Sequence, residues 1–192
     1  MPVLHPTIAF VGQVATHWRE TGALIPSGKR LARTMAACIR HVGSQDVIVE
    51  LGPGTGVFTQ ELLKNFPLNR VVAVEFNHAF VGRLRKTLPA ATVIEGCASQ
   101  LPELLEANGI QPGQVAAVIS GLPLLSLDRA LSEQVIRAIG RTLRPGGTYV
   151  QFTYSKRAWR KLDVPGFRAE PQRRVWLNVP PAVVMPFTRA MG

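Results

Sequence analysis

The stretch Val49-Glu50-Leu51-Gly52-Pro53-Gly54-Thr55-Gly56 places three glycines at alternate positions directly after a short apolar run. Glycine lets a backbone turn tightly and approach a ligand closely, so such a loop can act as a cradle. Two acids give the loop chemical meaning. Glu50 sits inside the apolar run, where a carboxylate is costly unless it is paired or faces a polar ligand. Glu75 closes the next apolar run, 19 residues after Gly56, where an acid can accept both hydroxyls of an adenosine ribose. A dinucleotide site has its third glycine one residue later and sets pyrophosphate on the helix N-terminus. Here Glu50 would repel that phosphate, and an adenosine ligand carrying an ammonium suits the pattern better. S-adenosylmethionine has an adenosine, an amino acid end and no phosphate.

These residues must be held by a scaffold, and the apolar pattern describes one. Runs at 46–51, 71–76, 92–95, 115–120 and 148–154 read as strands. Between them helical spacing runs through Phe58, Leu62 and Leu63, through Phe80, Leu84 and Leu88, through Leu101–Leu105, and from Leu127 to Leu143, where Arg-Pro-Gly-Gly ends it. Residues 174–187 read as two strands about a Pro-Pro turn, an antiparallel pair at the sheet edge. The alternation predicts an α/β fold: a doubly wound, Rossmann-like sheet of seven strands, mostly parallel with an antiparallel edge strand, preceded by N-terminal helices. The first of these runs from Thr7 to Trp18, with Ile8, Val11, Val14, Ala15 and Trp18 on one face. Ser27 can cap the second, whose buried stripe is Leu31, Met35, Cys38, Ile39 and Val42. The expected organisation is a single domain over residues 1–192, with 1–42 as a helical cap and 43–192 as the core.

The glycine turn, Glu75 and the later Leu-Arg-Pro-Gly-Gly (143–147) closely resemble class I S-adenosylmethionine-dependent methyltransferases. The resemblance implies that Gly52, Pro53, Gly54, Thr55 and Gly56, with Glu50 beneath them, cradle the methionyl part. Glu75, followed by Phe76, holds the ribose. Adenine falls at the end of the third strand, where Glu-Gly-Cys-Ala-Ser (95–99) puts Cys97 at the position many members give to an acid. The adenine amino group then relies on backbone and Ala98. Cys97 reads as a small packed residue, since no His or Lys lies near it in sequence.

In amino-methylating members the fourth strand ends in a short loop whose carbonyls accept from the amine being methylated. Here that loop is Ser120-Gly121-Leu122-Pro123. Nucleic-acid adenine methyltransferases close it with an aromatic platform for a flipped base, whereas this chain has Leu124. Residues 21–36, 71–77, 118–125, 150–155 and 174–184, taken in order, resemble the soluble bacterial phosphatidylethanolamine (phospholipid) N-methyltransferases. That resemblance implies stepwise methylation of phosphatidylethanolamine toward phosphatidylcholine by a cytoplasmic protein bound peripherally to the inner membrane face. Residues 5–20 become a membrane-contacting segment or a lid over the cofactor. Ile25, Pro26 and Ser27 sit over the pocket mouth, and Lys29 and Arg30 meet lipid phosphate or form a solvated face. Leu122, Leu124 and Leu125 would desolvate the amine and ease its proton loss. Trp18, Tyr154 and Trp176 are candidate aromatic faces for the methylated cation, or plain packing. The alternatives are methylation of rRNA adenine or another small amine, and a non-catalytic membrane- or nucleic-acid-binding protein with a degenerate pocket.

Charge and composition bound the partners. The net charge of +10 is confined to the flanks: residues 1–41 carry +4, 156–174 carry +5 and Arg189 adds the last unit, while nine bases balance nine acids across 42–155. Basic flanks fit an anionic phospholipid surface, with no stable nucleic-acid partner expected, or are a solvated surface. Two cysteines make no disulfide framework, and the four histidines are scattered, so no metal site or general base is expected. The N-terminal stretch lacks the pattern of a secretory signal.

Overall fold

Strands β1 (Val47–Leu51), β2 (Arg70–Glu75), β3 (Thr92–Glu95), β4 (Val115–Ser120) and β5 (Leu143–Thr153) form the parallel part of one sheet. They are separated by α2 (Val57–Asn65), α3 (His78–Thr87), α4 (Leu101–Glu106) and α5 (Arg129–Thr142), with α1 (Pro26–Ala36) preceding the first strand. The computed structural model describes residues 26–111, 113–155, 164–178 and 180–191, with side chains from Gly28 onward. The expected first helix, within residues 5–20, lies outside the described residues, as do Trp18 and Ile25.

The sheet order is β3-β2-β1-β4-β5-β8-β6, where β6 is Phe167–Ala169 and β8 is Ala182–Arg189. A short β7 (Arg173–Val175) also pairs with β8. Among the described residues the sheet has eight strands, one more than expected, because its outermost position is divided between β6 and β7. The antiparallel strand is β8, and it lies one position inside the edge, between β5 and the β6/β7 pair. The order reverses between β1 and β4, so the loops after those two strands diverge and leave a crevice at the carboxyl edge.

Strand alternation divides the core in two. Val47, Val49 and Leu51 pack with Tyr149, Leu101 and Ile139 on one face. Ile48, Ala117, Ile119 and Val150 pack with Leu31, Met35 and Leu62 on the other. Strands buried on both faces read as unbroken apolar runs, which is why the sequence marks them sharply. Local chemistry starts two helices: Asn77 accepts from the Ala79 N–H, and Asp128 accepts from the Ala130 N–H. The helix α1 already includes Pro26, a residue suited to a first turn whose N–H is not needed, so Ser27 lies inside the helix span and not before it. The Arg-Pro-Gly-Gly segment belongs to β5, where the pairing with β4 becomes irregular.

Candidate active site

Three left-handed glycines shape the turn after β1. Gly52, Gly54 and Gly56 have φ of +67°, +53° and +83°. A side chain on Gly52 would place its Cβ 2.6 Å from Leu122 Cδ2, and one on Gly56 would lie 2.7 Å from Leu88 Cδ1. The first glycine therefore lets the turn close onto the loop after β4, and the third lets α2 pack against the end of α3. The turn is pinned by the acid at the end of β2: the Gly54 N–H donates to Glu75 Oε2 at 2.9 Å. The Asn77 N–H donates to Glu75 Oε1, also at 2.9 Å. Glu75 is buried, and each of its oxygens keeps a second acceptor position for a ribose hydroxyl.

Glu50 is paired through one of its oxygens. It alternates to the same sheet face as Ile48, and its Oε2 accepts from the Thr59 hydroxyl of α2 at 2.5 Å. The carboxylate is fully buried and ties β1 to α2 at the base of the glycine turn. Thr59 was not singled out in the sequence; its only signal is a hydroxyl one turn into the helix that follows a buried acid.

At the end of β3 the Gly96 N–H donates to the Glu75 carbonyl at 3.0 Å, which sets the two strand ends side by side. Cys97 follows, with its sulfur 3.1 Å from the Ser99 hydroxyl, and Ala98 opens a short 3-10 turn. Phe76, Cys97 and Ala98 are partly buried along this edge, where the adenosine side of the ligand is expected. Among the described residues, no group of three or more His, Cys, Asp or Glu side chains could hold a metal.

Between the glycine turn, α1 and the ends of β4 and β5 opens a cavity of about 400 Å³. Pro53 and Thr55 line one side, Gly28 and Leu31 of α1 another, and Gly121, Leu122, Leu124 and Leu125 a third. Three aromatic rings, Phe58, Phe152 and Tyr154, join the lining. Phe58 meets Phe152 edge-on at 5.7 Å between ring centroids, and Phe152 meets Tyr154 at 5.3 Å. Tyr154 lines this cavity, and Phe58 and Phe152 add rings that helical and strand periodicity had marked only as core.

The loop after β4 is held from beneath. Ser120 is fully buried, and its Oγ accepts from the Leu122 N–H at 3.2 Å. Gln151 Nε2 donates to the Leu122 carbonyl at 2.9 Å and to the Phe152 carbonyl at 3.0 Å. The Tyr149 hydroxyl donates to Gln151 Oε1 at 2.9 Å. The Leu124 N–H also reaches the Leu122 carbonyl, at 2.9 Å. The Leu122 carbonyl therefore accepts two internal donors, which anchor the loop. Burial drives the Tyr149 phenol far above its ordinary pKa, a shift partly opposed by its hydrogen bond with Ser120, so it remains a neutral donor. Gln151 and Tyr149 were not among the sequence candidates, although a lone amide inside an apolar strand was a visible signal.

The N-terminal candidates separate. Pro26 and Ser27 begin α1, and Gly28 one residue on lines the cavity. Lys29 and Arg30 are exposed on that helix and are not in the cavity lining; Arg30 faces a second cleft with Arg33 and Arg174. Trp176 is likewise outside the cavity, exposed beyond the end of β7.

The strand order, the glycine turn and the acid that pins it define the architecture of a class I S-adenosylmethionine-dependent methyltransferase. A methyltransferase-domain family model matches residues 48–147. The chain is 32% identical over 182 residues to an ornithine lipid N-methyltransferase of Singulisphaera acidiphila, covering 90% of this chain and 91% of that one. The chain belongs to this methyltransferase family. Its fold matches TrmN of Thermus thermophilus with a TM-score of 0.67 at 17% identity, over 93% of this chain and 53% of that one. It also matches a geranyl diphosphate methyltransferase solved with S-adenosylmethionine, with a TM-score of 0.63 at 15% identity, over 84% of this chain and 85% of that one.

S-adenosylmethionine is the cofactor of this chain, and the residues present fit it. The left-handed glycines fold a tight turn beside the open cavity, and Glu75 offers acceptor positions at the neighbouring strand end. The bound cofactor supplies an electrophilic methyl group on a sulfonium.

Proposed function

We propose that the chain N-methylates phosphatidylethanolamine, stepwise toward phosphatidylcholine, while bound peripherally at the cytoplasmic face of a membrane. The observation that carries this reading is the cavity beside the glycine turn. Its described lining has no carboxylate, lysine, arginine or histidine; it is made of apolar and aromatic side chains, glycines, prolines and uncharged polar residues. An ammonium entering it loses hydration without gaining a counter-ion, so its pKa falls and the neutral amine needed for attack becomes accessible. Each transfer would break the sulfonium S–CH3 bond, form one N–C bond at the headgroup, leave S-adenosylhomocysteine as the thioether product and, counted from the ammonium, release one proton to solvent. Phe58, Phe152 and Tyr154 present ring faces that favour the increasingly methylated cation. The glycine turn and the anchored Leu122 loop contribute chiefly orientation.

Similarity to a lipid N-methyltransferase supports a lipid acceptor. Leu124 at the place of a base-stacking aromatic speaks against a flipped nucleobase. No helix among the described residues is long and apolar enough to cross a membrane, which accords with a lipid met at the surface. The same relative favours a second reading, in which the acceptor is the amine of an ornithine lipid. Incubating the protein with cofactor and vesicles of either lipid, followed by mass spectrometry, tests both. Mono-, di- or trimethylated phosphatidylethanolamine is expected. Transfer to ornithine lipid alone selects the second reading, and transfer to rRNA with neither lipid modified overturns both.

A further inference from the structure

A second cleft lies on the other flank of α1. It is lined by Arg30, Arg33 and Thr34 of the helix and by Arg174, Trp176 and Leu177 beyond it, with Val175 at its floor. Three arginines and no carboxylate line it among the described residues. Arg33 has a long contact with Glu61 at 3.8 Å.

The turn that closes this cleft displays apolar side chains outward. The Asn178 N–H donates to the Val175 carbonyl at 3.4 Å, so Trp176 and Leu177 are the two central residues of a tight turn. The residues at its base are buried, Val175 at 7% and Asn178 at 2%, and the Asn178 amide donates to the Pro180 carbonyl at 2.7 Å. The tip is exposed: Trp176 at 62% and Leu177 at 71%. Arg174 stands over the indole, 5.5 Å from its ring centroid. A single exposed leucine needs no explanation, but an adjacent indole and leucine on an anchored tip, ringed by guanidinium groups, form a patch suited to a partner.

Register fixes where the patch points. Thr153 near the end of β5 pairs with Val183 of β8, and Val175 at the end of β7 pairs with the next residue, Ala182. β7 therefore runs parallel to β5 and ends level with it. The turn leaves the sheet at the same carboxyl edge as the cavity, whose rim carries the exposed Leu125. α1 forms a wall of both, turning Gly28 and Leu31 to the cavity and Arg30 and Arg33 to the cleft.

We propose that this carboxyl edge is the membrane-docking face, with Trp176 and Leu177 entering the headgroup layer of an anionic bilayer and Arg30, Arg33 and Arg174 holding lipid phosphates. The proposal rests on the lipid reading above and adds the surface that reaches the lipid. Indole favours the membrane–water boundary, where its ring is shielded and its N–H stays wet. Arginine binds phosphate through its planar donor fork, and each basic residue near an anionic surface adds about 1 kcal/mol, or roughly fivefold in binding. Docking in this orientation presents the cavity mouth to the same layer, so a headgroup enters without leaving the bilayer.

Flotation of the full chain with phosphatidylglycerol-rich vesicles tests this, because that lipid carries no amine and binding is read apart from methyl transfer. The double variant Trp176→Ala/Leu177→Ala should weaken vesicle binding about tenfold. Arg174→Glu should weaken it at least fivefold at low salt and less at high salt. Both should keep the wild-type affinity for S-adenosylhomocysteine and the wild-type melting temperature. Arg174 is exposed, so its variant reports on docking even where the double variant unfolds. Wild-type chain that fails to float, or folded variants that float like wild type, overturns the proposal. Variants that lose affinity for an RNA oligonucleotide and not for vesicles also overturn it, in favour of a nucleic-acid surface. Floating of wild type and its loss in the variants, with no lipid methylated, would support this face while removing the proposed reaction.

Discussion

The side-chain amide of Gln151 holds the Leu122 carbonyl at 2.9 Å, and the Tyr149 hydroxyl holds the same amide from its other end at 2.9 Å. Through these bonds β5 sets the position of the loop that ends β4. All the donors and acceptors involved are inside the protein, so the loop is preorganised before any ligand arrives. Satisfied buried networks of this kind impose one conformation because leaving any member unpaired is costly.

Gln151→Leu should therefore release the Leu122 loop and lower kcat by about ten- to a hundredfold, since displacement of about 1 Å costs that much in a positioned reaction. Affinity for S-adenosylhomocysteine should change little, because the glycine turn keeps its contact with Glu75. Gln151→Glu should be at least as damaging, since a carboxylate cannot donate to Leu122 and would lie beside two carbonyls. Steady-state kinetics paired with calorimetry separates the effects; an equal loss in both would show that Gln151 supports the cofactor and not the acceptor loop.

Glu75 carries a ligand role and a structural one together. Glu75→Ala should weaken S-adenosylhomocysteine binding at least tenfold. It should also cost roughly 1–3 kcal/mol of stability, because the Gly54 and Asn77 N–H groups lose their acceptors. Calorimetry and a thermal scan measure the two. A lowered melting temperature with unchanged affinity would leave Glu75 only the task of shaping the turn.

Fold and cofactor cradle were legible in the sequence for one physical reason: both are written in local pattern. Fully buried strands appear as short β-branched runs, and left-handed turns appear as glycines. Glu75 was readable from its distance to the turn, because strand and helix lengths fix that spacing. What escaped depended on which side chain meets which across the sheet. Nothing local marks the bond between Glu50 and Thr59. The bond from Gln151 to the Leu122 carbonyl, 29 residues away, had no local sign either. Phe58 and Phe152 fitted the apolar periodicity of their elements and so gave no sign of also walling a cavity. The position of β8 inside the edge was hidden because β6 and β7 are only three residues each.

Gly52 joins backbone geometry to the acceptor loop. Gly52→Ala demands φ of +67° from a residue that avoids it, and it pushes a methyl to within 2.6 Å of Leu122 Cδ2. The variant should lose cofactor binding and be destabilised by about 1–3 kcal/mol. Adding Leu122→Ala removes the contact and leaves the backbone strain. The double variant should regain part of the stability but remain below Leu122→Ala alone. Denaturant titration of all four proteins checks this; strict additivity would show that the contact with Leu122 does not matter.

Tyr149 predicts an alkaline limit to stability. Its phenol is fully buried, and its pKa in the folded protein lies above the ordinary value of about 10. Below pH 10 both folded and unfolded chains keep the proton, and the contribution is intact. Above it the unfolded chain releases the proton while the folded chain retains it, so stability falls as pH rises, by about 1.4 kcal/mol per pH unit from this group. Tyr149→Phe removes that slope but also removes the hydrogen bond to Gln151, a loss of about 1 kcal/mol. Denaturant unfolding should find the variant weaker than wild type at pH 8 and the two curves converging as pH approaches 11. The buried Cys38 thiol, which burial also shifts upward against the opposing charges of Arg173 and Arg40, contributes equally to both proteins and cancels in the difference. Parallel curves over that interval would mean that the phenol ionises in the folded protein and that the buried network opens before the chain unfolds.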